Sequence, residues 1–231
     1  MKTDEVRETL AHGAEALLGH QQLTLYLLIS AVVVAACFFG WKTYSERQTV
    51  KASAAYNDAM KVFQSRVRAA GEPTDPGEVS YVDEKNKYAD AAQKFGAVAM
   101  KYPHTRPGQL SSYYAALSLE RIGKYDDAKK WLRGLADSSS EDFSAMARFE
   151  MAQLDDRLGQ SDEAVKIYQQ LMAKPAVLVP KPVVMLALAE HYGQRNPVEA
   201  AKLYTQIKTE FPDSQIAEQA DQELALLPGK I

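Results

Sequence analysis

The chain holds four histidines and a single cysteine, and what such residues can do depends on their spacing. Metal-assisted hydrolysis on a helix needs two histidines one turn apart around a glutamate. A nucleophilic serine needs the tight GxSxG turn, and a phosphate cradle needs a glycine-rich loop opening a helix. None of these spacings occurs: His12 and His20 lie near the N-terminus, His104 in "YPHT" and His191 late in a predicted helix. Each reads as a surface or helix-end residue. With only Cys37, an intramolecular disulfide and a CxxC metal or redox pair are excluded. The pairs Asp126/Asp127 and Asp155/Asp156 fall at helix starts or on exposed helix faces, where carboxylates complement the helix dipole or take up solvent. The expectation is a non-catalytic chain with no metal and no cofactor. A net charge of -3, and the lack of a basic run interleaved with aromatics, give no case for nucleic acid.

What remains is a surface for another chain, and the residues that could form it recur with one phase. One row is Tyr113, Phe149 and Met185, and a neighbouring row is Leu110, Met146 and Pro182. Farther along come Leu117, Gln153 and Ala189, then Glu120, Asp156 and Tyr192. An apolar centre with an acidic fringe suits an extended or amphipathic polypeptide and not a small-molecule substrate. The candidate partner groove is therefore Leu110, Tyr113, Leu117, Met146, Phe149, Gln153, Met185 and Tyr192. Groove and core rows adjoin on one helix, so packing against the next helix is an equal alternative for any single residue.

The elements that must position these residues show a fixed repeat. Four segments, "KYADAAQKFGAVAMKYP", "KYDDAKKWLRGLA", "QSDEAVKIYQQLMAKP" and "NPVEAAKLYTQIKTEFP", share one helical grammar. Ala91, Ala128, Ala164 and Ala200 are each followed four residues on by Phe95, Leu132, Tyr168 and Tyr204. Three further on come Val98, Leu135, Leu171 and Ile207. Spacings of i, i+4 and i+7 place all three on one helix face, with a small residue where a neighbour must come close. Upstream of three of these helices lies a second one. The turns between them are Gly123-Lys124, Gly159-Gln160 and the segment 194–197. Such pairs cannot bury an apolar face singly and must stack. The pattern resembles the tetratricopeptide repeat over residues 86–212, including Tyr88 and Tyr125 three before the alanine and Pro103 and Pro212 at repeat ends. The family's tryptophan is missing, so the copies are degenerate. The predicted fold is all-α: a single transmembrane helix, a tetratricopeptide-like α-solenoid of about four helix pairs and a C-terminal capping helix. Residues 42–85 would be a helical stalk, the first repeat helix and a loop, with the helix stopping at "GEPTDPGEVS". In residues 213–231, Asp213/Ser214 would cap a final helix with Ile216, Ala220, Leu224 and Leu227 on one face.

The predicted membrane helix is residues 23–41, "LTLYLLISAVVVAACFFGW", without a charge and about 29 Å long as a helix. Leu23 opens the span, Tyr26 and Trp41 sit near its two ends as interfacial aromatics do, and Lys42 follows. A cleaved signal would want a basic start and a shorter apolar run. Val34-Ala35-Ala36-Cys37 is similar to a lipobox, with Cys37 the lipidated residue, but Phe38, Phe39, Gly40 and Trp41 carry the apolar run past it. The stretch reads as an uncleaved span with Cys37 facing lipid. Lys42, Arg47, Lys51 and Lys61 after the span outnumber the basic residues before it, which by the positive-inside rule puts the large domain in the cytoplasm. Long domains translocate largely regardless of that count. In the tail, residues 1–22, Val6, Leu10, Ala14, Leu17 and Leu18 form an apolar stripe that could lie on a membrane surface or bind a cytosolic factor. A disordered tail is a comparable alternative.

The layout of a short tail, one span ending in "GWKTYSERQ", an "SAAYNDA" helix and degenerate repeats resembles the ancillary SecYEG translocon subunit family. The resemblance implies a bacterial inner-membrane protein, single-pass, with its N-terminus cytoplasmic and its repeat domain periplasmic. The partners it implies are translocon subunits, a periplasmic chaperone and secreted or envelope clients. The ending "EFPDSQIAEQA" looks more like repeat proteins of envelope assembly and cell division, which implies a structural scaffold as the alternative.

Overall fold

The computed structural model describes residues 21–69, 72, 77, 79–193 and 195–227. The tail stripe lies outside the described residues, as does the side chain of Leu23. By internal contacts the chain divides into two units, Met1–Lys51 and Ala52–Ile231.

Helix α1 runs Gln21–Gln64. In the first unit its side chains from Leu25 onward are almost all exposed, and two of its hydroxyls bond back to the helix itself. Ser30 Oγ donates to the Leu27 carbonyl at 2.8 Å, and Thr49 Oγ1 to the Ser45 carbonyl at 3.0 Å. A hydroxyl satisfied by its own helix can enter an apolar medium at little cost.

In the second unit the last turns of α1 bury Ala52, Ala59 and Val62. The helix stops at Gln64, short of the predicted loop. Ser65 Oγ donates to the Val62 carbonyl at 2.7 Å, and the chain then straightens into β1, Arg66–Val67. This pairs in parallel with β2, Ser80–Tyr81. A two-residue strand has no readable period, so the pairing was invisible to pattern.

Among the described residues eight helices follow: α2 Glu84–Lys101, α3 Arg106–Arg121, α4 Tyr125–Ala136, α5 Glu141–Arg157, α6 Ser161–Ala173, α7 Lys181–Gly193, α8 Pro197–Glu210 and α9 Gln215–Leu226. Each packs on the next, and α3 also touches α5, α5 touches α7, and α7 touches α9. This is the connectivity of a solenoid, in which the first helices of successive pairs form one layer. The repeated alanines account for the close approach: Ala91, Ala128, Ala164 and Ala200 are all 0 % exposed. Their followers Phe95, Leu132, Tyr168 and Tyr204, then Val98, Leu135, Leu171 and Ile207, are buried as well. The all-α solenoid expectation holds.

The turns obey local chemistry. Gly123 (φ 74°) and Gly159 (φ 77°) take the left-handed conformation that ends α3 and α5. The Gly159 amide reaches the Asp156 carbonyl at 3.0 Å and the Gln160 amide the Asp155 carbonyl at 2.7 Å. In the third turn Asn196 Oδ1 accepts from the Glu199 amide at 3.3 Å, ahead of Pro197 in the first turn of α8. Asp83 and Thr105 cap α2 and α3 in the same way. Ser214 Oγ caps α9 by accepting from the Ala217 amide at 3.1 Å. The cap helix α9 closes the array with Ala217, Ala220 and Leu224 buried against Tyr204 and Ile207.

Candidate partner-binding surface

The groove candidates lie on α3, α5 and α7, and the structure divides them. Leu110, Tyr113 and Leu117 on α3, Met146, Phe149 and Gln153 on α5, and Tyr192 on α7 are half-buried. Met185 is 1 % exposed and sits in the core cluster with Tyr204, Ile207 and Ala217. It presents nothing to a partner. Its phase matches Tyr113 and Phe149, but the cap helix packs where a further repeat would continue, and it covers the smaller side chain. The same holds for Ala189, at 0 %. Phe149 is partly turned inward, its ring 5.9 Å from Tyr168 in a T-shaped contact. Met146 touches the clusters on both sides of α5.

Behind this row runs a polar ladder. The Tyr113 hydroxyl donates to Glu150 Oε2 at 2.9 Å, and Glu150 is 6 % exposed. Arg157 Nη2 lies 3.4 Å from Glu150 Oε1 and also pairs with Glu120 Oε2. One guanidinium thus bridges a carboxylate of α3 and another of its own helix. Burial, and then the Glu150 charge, push the Glu120 carboxyl up to about 7, against the opposing pull of Arg157. Burial and the same carboxylate raise the Tyr113 hydroxyl. One repeat on, Asp156 Oδ1 is hydrogen-bonded to His191 Nδ1 at 2.7 Å and forms an ion pair with Arg195 Nη1 at 3.2 Å, while that same Nη1 donates to the His191 carbonyl at 3.1 Å. Lys129 of α4 meets Asp155 at 2.6 Å, both nearly buried.

Several of these positions differ from pattern-based expectation. His191 does stand in the last turn of α7, but at 4 % exposed it is not on the surface, and Asp155 at 7 % is not on an exposed face; each is buried against a neighbouring helix. Glu150 and Arg157 fall outside the groove rows that pattern picks out, although a signal is present: Glu150 occupies the phase held by Tyr114 and Leu186, apolar in the adjoining repeats. A carboxylate in an apolar slot needs partners, and Tyr113 and Arg157 are those partners. A cleft between α6 and α7 is walled by Ser161, Val165, His191, Tyr192 and Arg195, which puts Tyr192 at the edge of an open space. Among the described residues, no three His, Cys, Asp or Glu side chains converge as metal ligands do.

Along the span, Tyr26 is 70 % and Trp41 67 % exposed, and Cys37 is a free, exposed thiol. Leu28, Val34 and Phe39, exposed to a similar degree, make a continuous apolar surface of a kind soluble chains rarely leave in water. Helix α1 is long and apolar enough to cross a membrane.

No curated protein and no solved structure matched the chain. A match to the family described as "Tetratricopeptide repeat-like domain" extends over residues 20–177, more than half of the chain. It takes in the apolar helix and the helix pairs through α6, whose phased alanines and stacked order the structure displays. The chain belongs to the tetratricopeptide repeat-like domain family.

Proposed function

We propose that the chain is a membrane-anchored, non-catalytic adaptor at the Sec translocon, with its N-terminus in the bacterial cytoplasm and its repeat domain in the periplasm. Repeat domains of this family support a protein-protein interaction role. The observation that carries the reading is the half-buried, largely apolar row from Leu110 to Tyr192, set on the first helices of stacked pairs in a chain whose α1 is of membrane length. The clients are secreted or envelope polypeptides, or the chaperones that hold them. Anchoring raises local concentration, so a groove of weak intrinsic affinity becomes effective.

Leu117→Lys with Gln153→Lys tests the groove, because both positions are half-exposed and lie outside the buried polar ladder. Protein partners copurified with the full chain should fall by about tenfold or more while far-UV helicity is unchanged; full retention overturns the groove. The side of the membrane is read from a Cys37→Ser chain carrying one new cysteine at exposed Gln160. Labelling by an impermeant maleimide in intact spheroplasts supports the periplasmic assignment, and labelling only after lysis reverses it. The ending around Phe211 and Pro212 favours a second reading, a scaffold for envelope assembly or cell division. A fluorescent fusion gathered at septa selects that reading, and one spread around the membrane selects the translocon.

A further inference from the structure

When both are ionised, Glu120 and Glu150 are two nearly buried carboxylates in contact with one guanidinium, with Arg121 acting on Glu120 as a weaker, more distant cation. Two carboxylates, with side chains 10 % and 8 % exposed, share the single guanidinium of Arg157. Tyr113 adds one neutral donor, to Glu150. Glu120 Oε2 is paired, but Oε1 is buried with no hydrogen-bond partner among the described residues. A buried carboxylate oxygen left without a donor bears its full desolvation cost, and two adjacent buried carboxylates call for either a shared proton or a cation, so an incoming cation would take the place of the proton. Arg157 has 54 % of its side chain in solvent, so it is the member able to move aside or admit a second cation.

The surroundings set which cation fits. Leu117 lies one helical turn before Glu120 on α3, and Gln153 lies between Glu150 and Arg157 on α5; both are half-exposed. Leu117 offers an apolar surface and Gln153 a short polar side chain beside the two carboxylates, a setting that matches a cationic head on an aliphatic stem. A divalent metal would want a third acidic or imidazole ligand, and none converges here among the described residues.

Resting on the groove reading above, we propose that Glu120 and Glu150 form a charge-reading subsite that takes the ammonium or guanidinium of a lysine or arginine in an extended polypeptide partner. The subsite would select clients in which a basic residue is flanked by apolar ones, and it would reject acidic segments by like-charge repulsion.

A random dodecapeptide display library, selected on the full chain in lipid nanodiscs, tests this. The wild type should enrich peptides with a lysine or arginine beside apolar residues. For one enriched peptide made synthetically, replacing the basic residue by norleucine should weaken binding about tenfold. In Glu120→Gln, and separately in Glu150→Gln, the same replacement should change affinity less than about twofold, with the apolar preference retained. Apolar peptides enriched without a basic residue, or an equal norleucine loss in wild type and both variants, would overturn the subsite and leave the groove standing. Enrichment of no peptide at all would overturn the groove, and the subsite with it.

Discussion

A carboxylate such as Glu150, standing where the adjoining repeats carry Tyr114 and Leu186, has to bring its own partners, and it organises the polar chemistry of the layer. Removing the hydroxyl that serves it, by Tyr113→Phe, takes a donor from a buried charge. The cost should be about 1–3 kcal/mol in urea denaturation; a neutral change would show that Glu150 finds another donor. Glu120 adds a pH dependence. It faces Glu150 and Arg157 of α5, and Arg121 and Tyr113 of its own helix. Its carboxyl is raised to about 7 in the folded chain, above its unfolded value, so the folded state holds the extra proton between the two. Its contribution to stability is therefore full below the unfolded value and is lost as pH rises toward 7. Glu120→Gln should flatten the slope of Tm against pH between about 5 and 7, where a contribution of 1 kcal/mol amounts to about 2–4 °C. An unchanged slope would remove Glu120 from the account. Of this ladder the sequence carried only the acidic phase of Glu120 and Asp156 and a carboxylate, Glu150, in an otherwise apolar phase; Arg157 and the pairings themselves were not legible. Burial of single charged residues depends on which helix comes to lie over them.

Among the helices, the phased alanines and their followers were readable because an i, i+4, i+7 pattern recurring every 36 or 37 residues demands helices that stack in register. Leu132 shows what the period is for. It is 0 % exposed in the cluster that joins α3, α4 and α5, so Leu132→Ala should cost about 2–5 kcal/mol. Leu158, 39 % exposed at the end of α5, should lose far less on the same change. Equal losses would contradict the phase assignment. Gly108 carries a constraint that no period reveals: a Cβ there would stand 1.8 Å from the Tyr102 carbonyl oxygen. The α2–α3 turn is that tight because Thr105 caps α3 while its own hydroxyl donates to that carbonyl at 2.9 Å. Gly108→Ala should therefore cost about 1–3 kcal/mol or more by forcing the turn apart. Met185 marks the limit of reading by phase. Position in the period places a residue on a face, and the capping helix decides whether that face stays open.

Among the described residues, the apolar side chains of α1 in the first unit are exposed whereas the phased alanines of the stacked pairs are buried, a contrast that the membrane-span reading explains. Residues 52–231 should fractionate as a soluble helical protein, whereas the full chain should stay with membranes through carbonate extraction. Release of the full chain would contradict the span. The central claim is that an apolar row on the first helices of the array receives another polypeptide at the membrane. Photocross-linking in living cells from a benzoylphenylalanine at Gln153, with α1 intact, tests that claim most directly. Adducts with translocon subunits, periplasmic chaperones or several secreted chains are expected, and they should be lost when the probe is moved to exposed Lys166. Adducts confined to cytosolic proteins, or equal cross-linking from both positions, would contradict it.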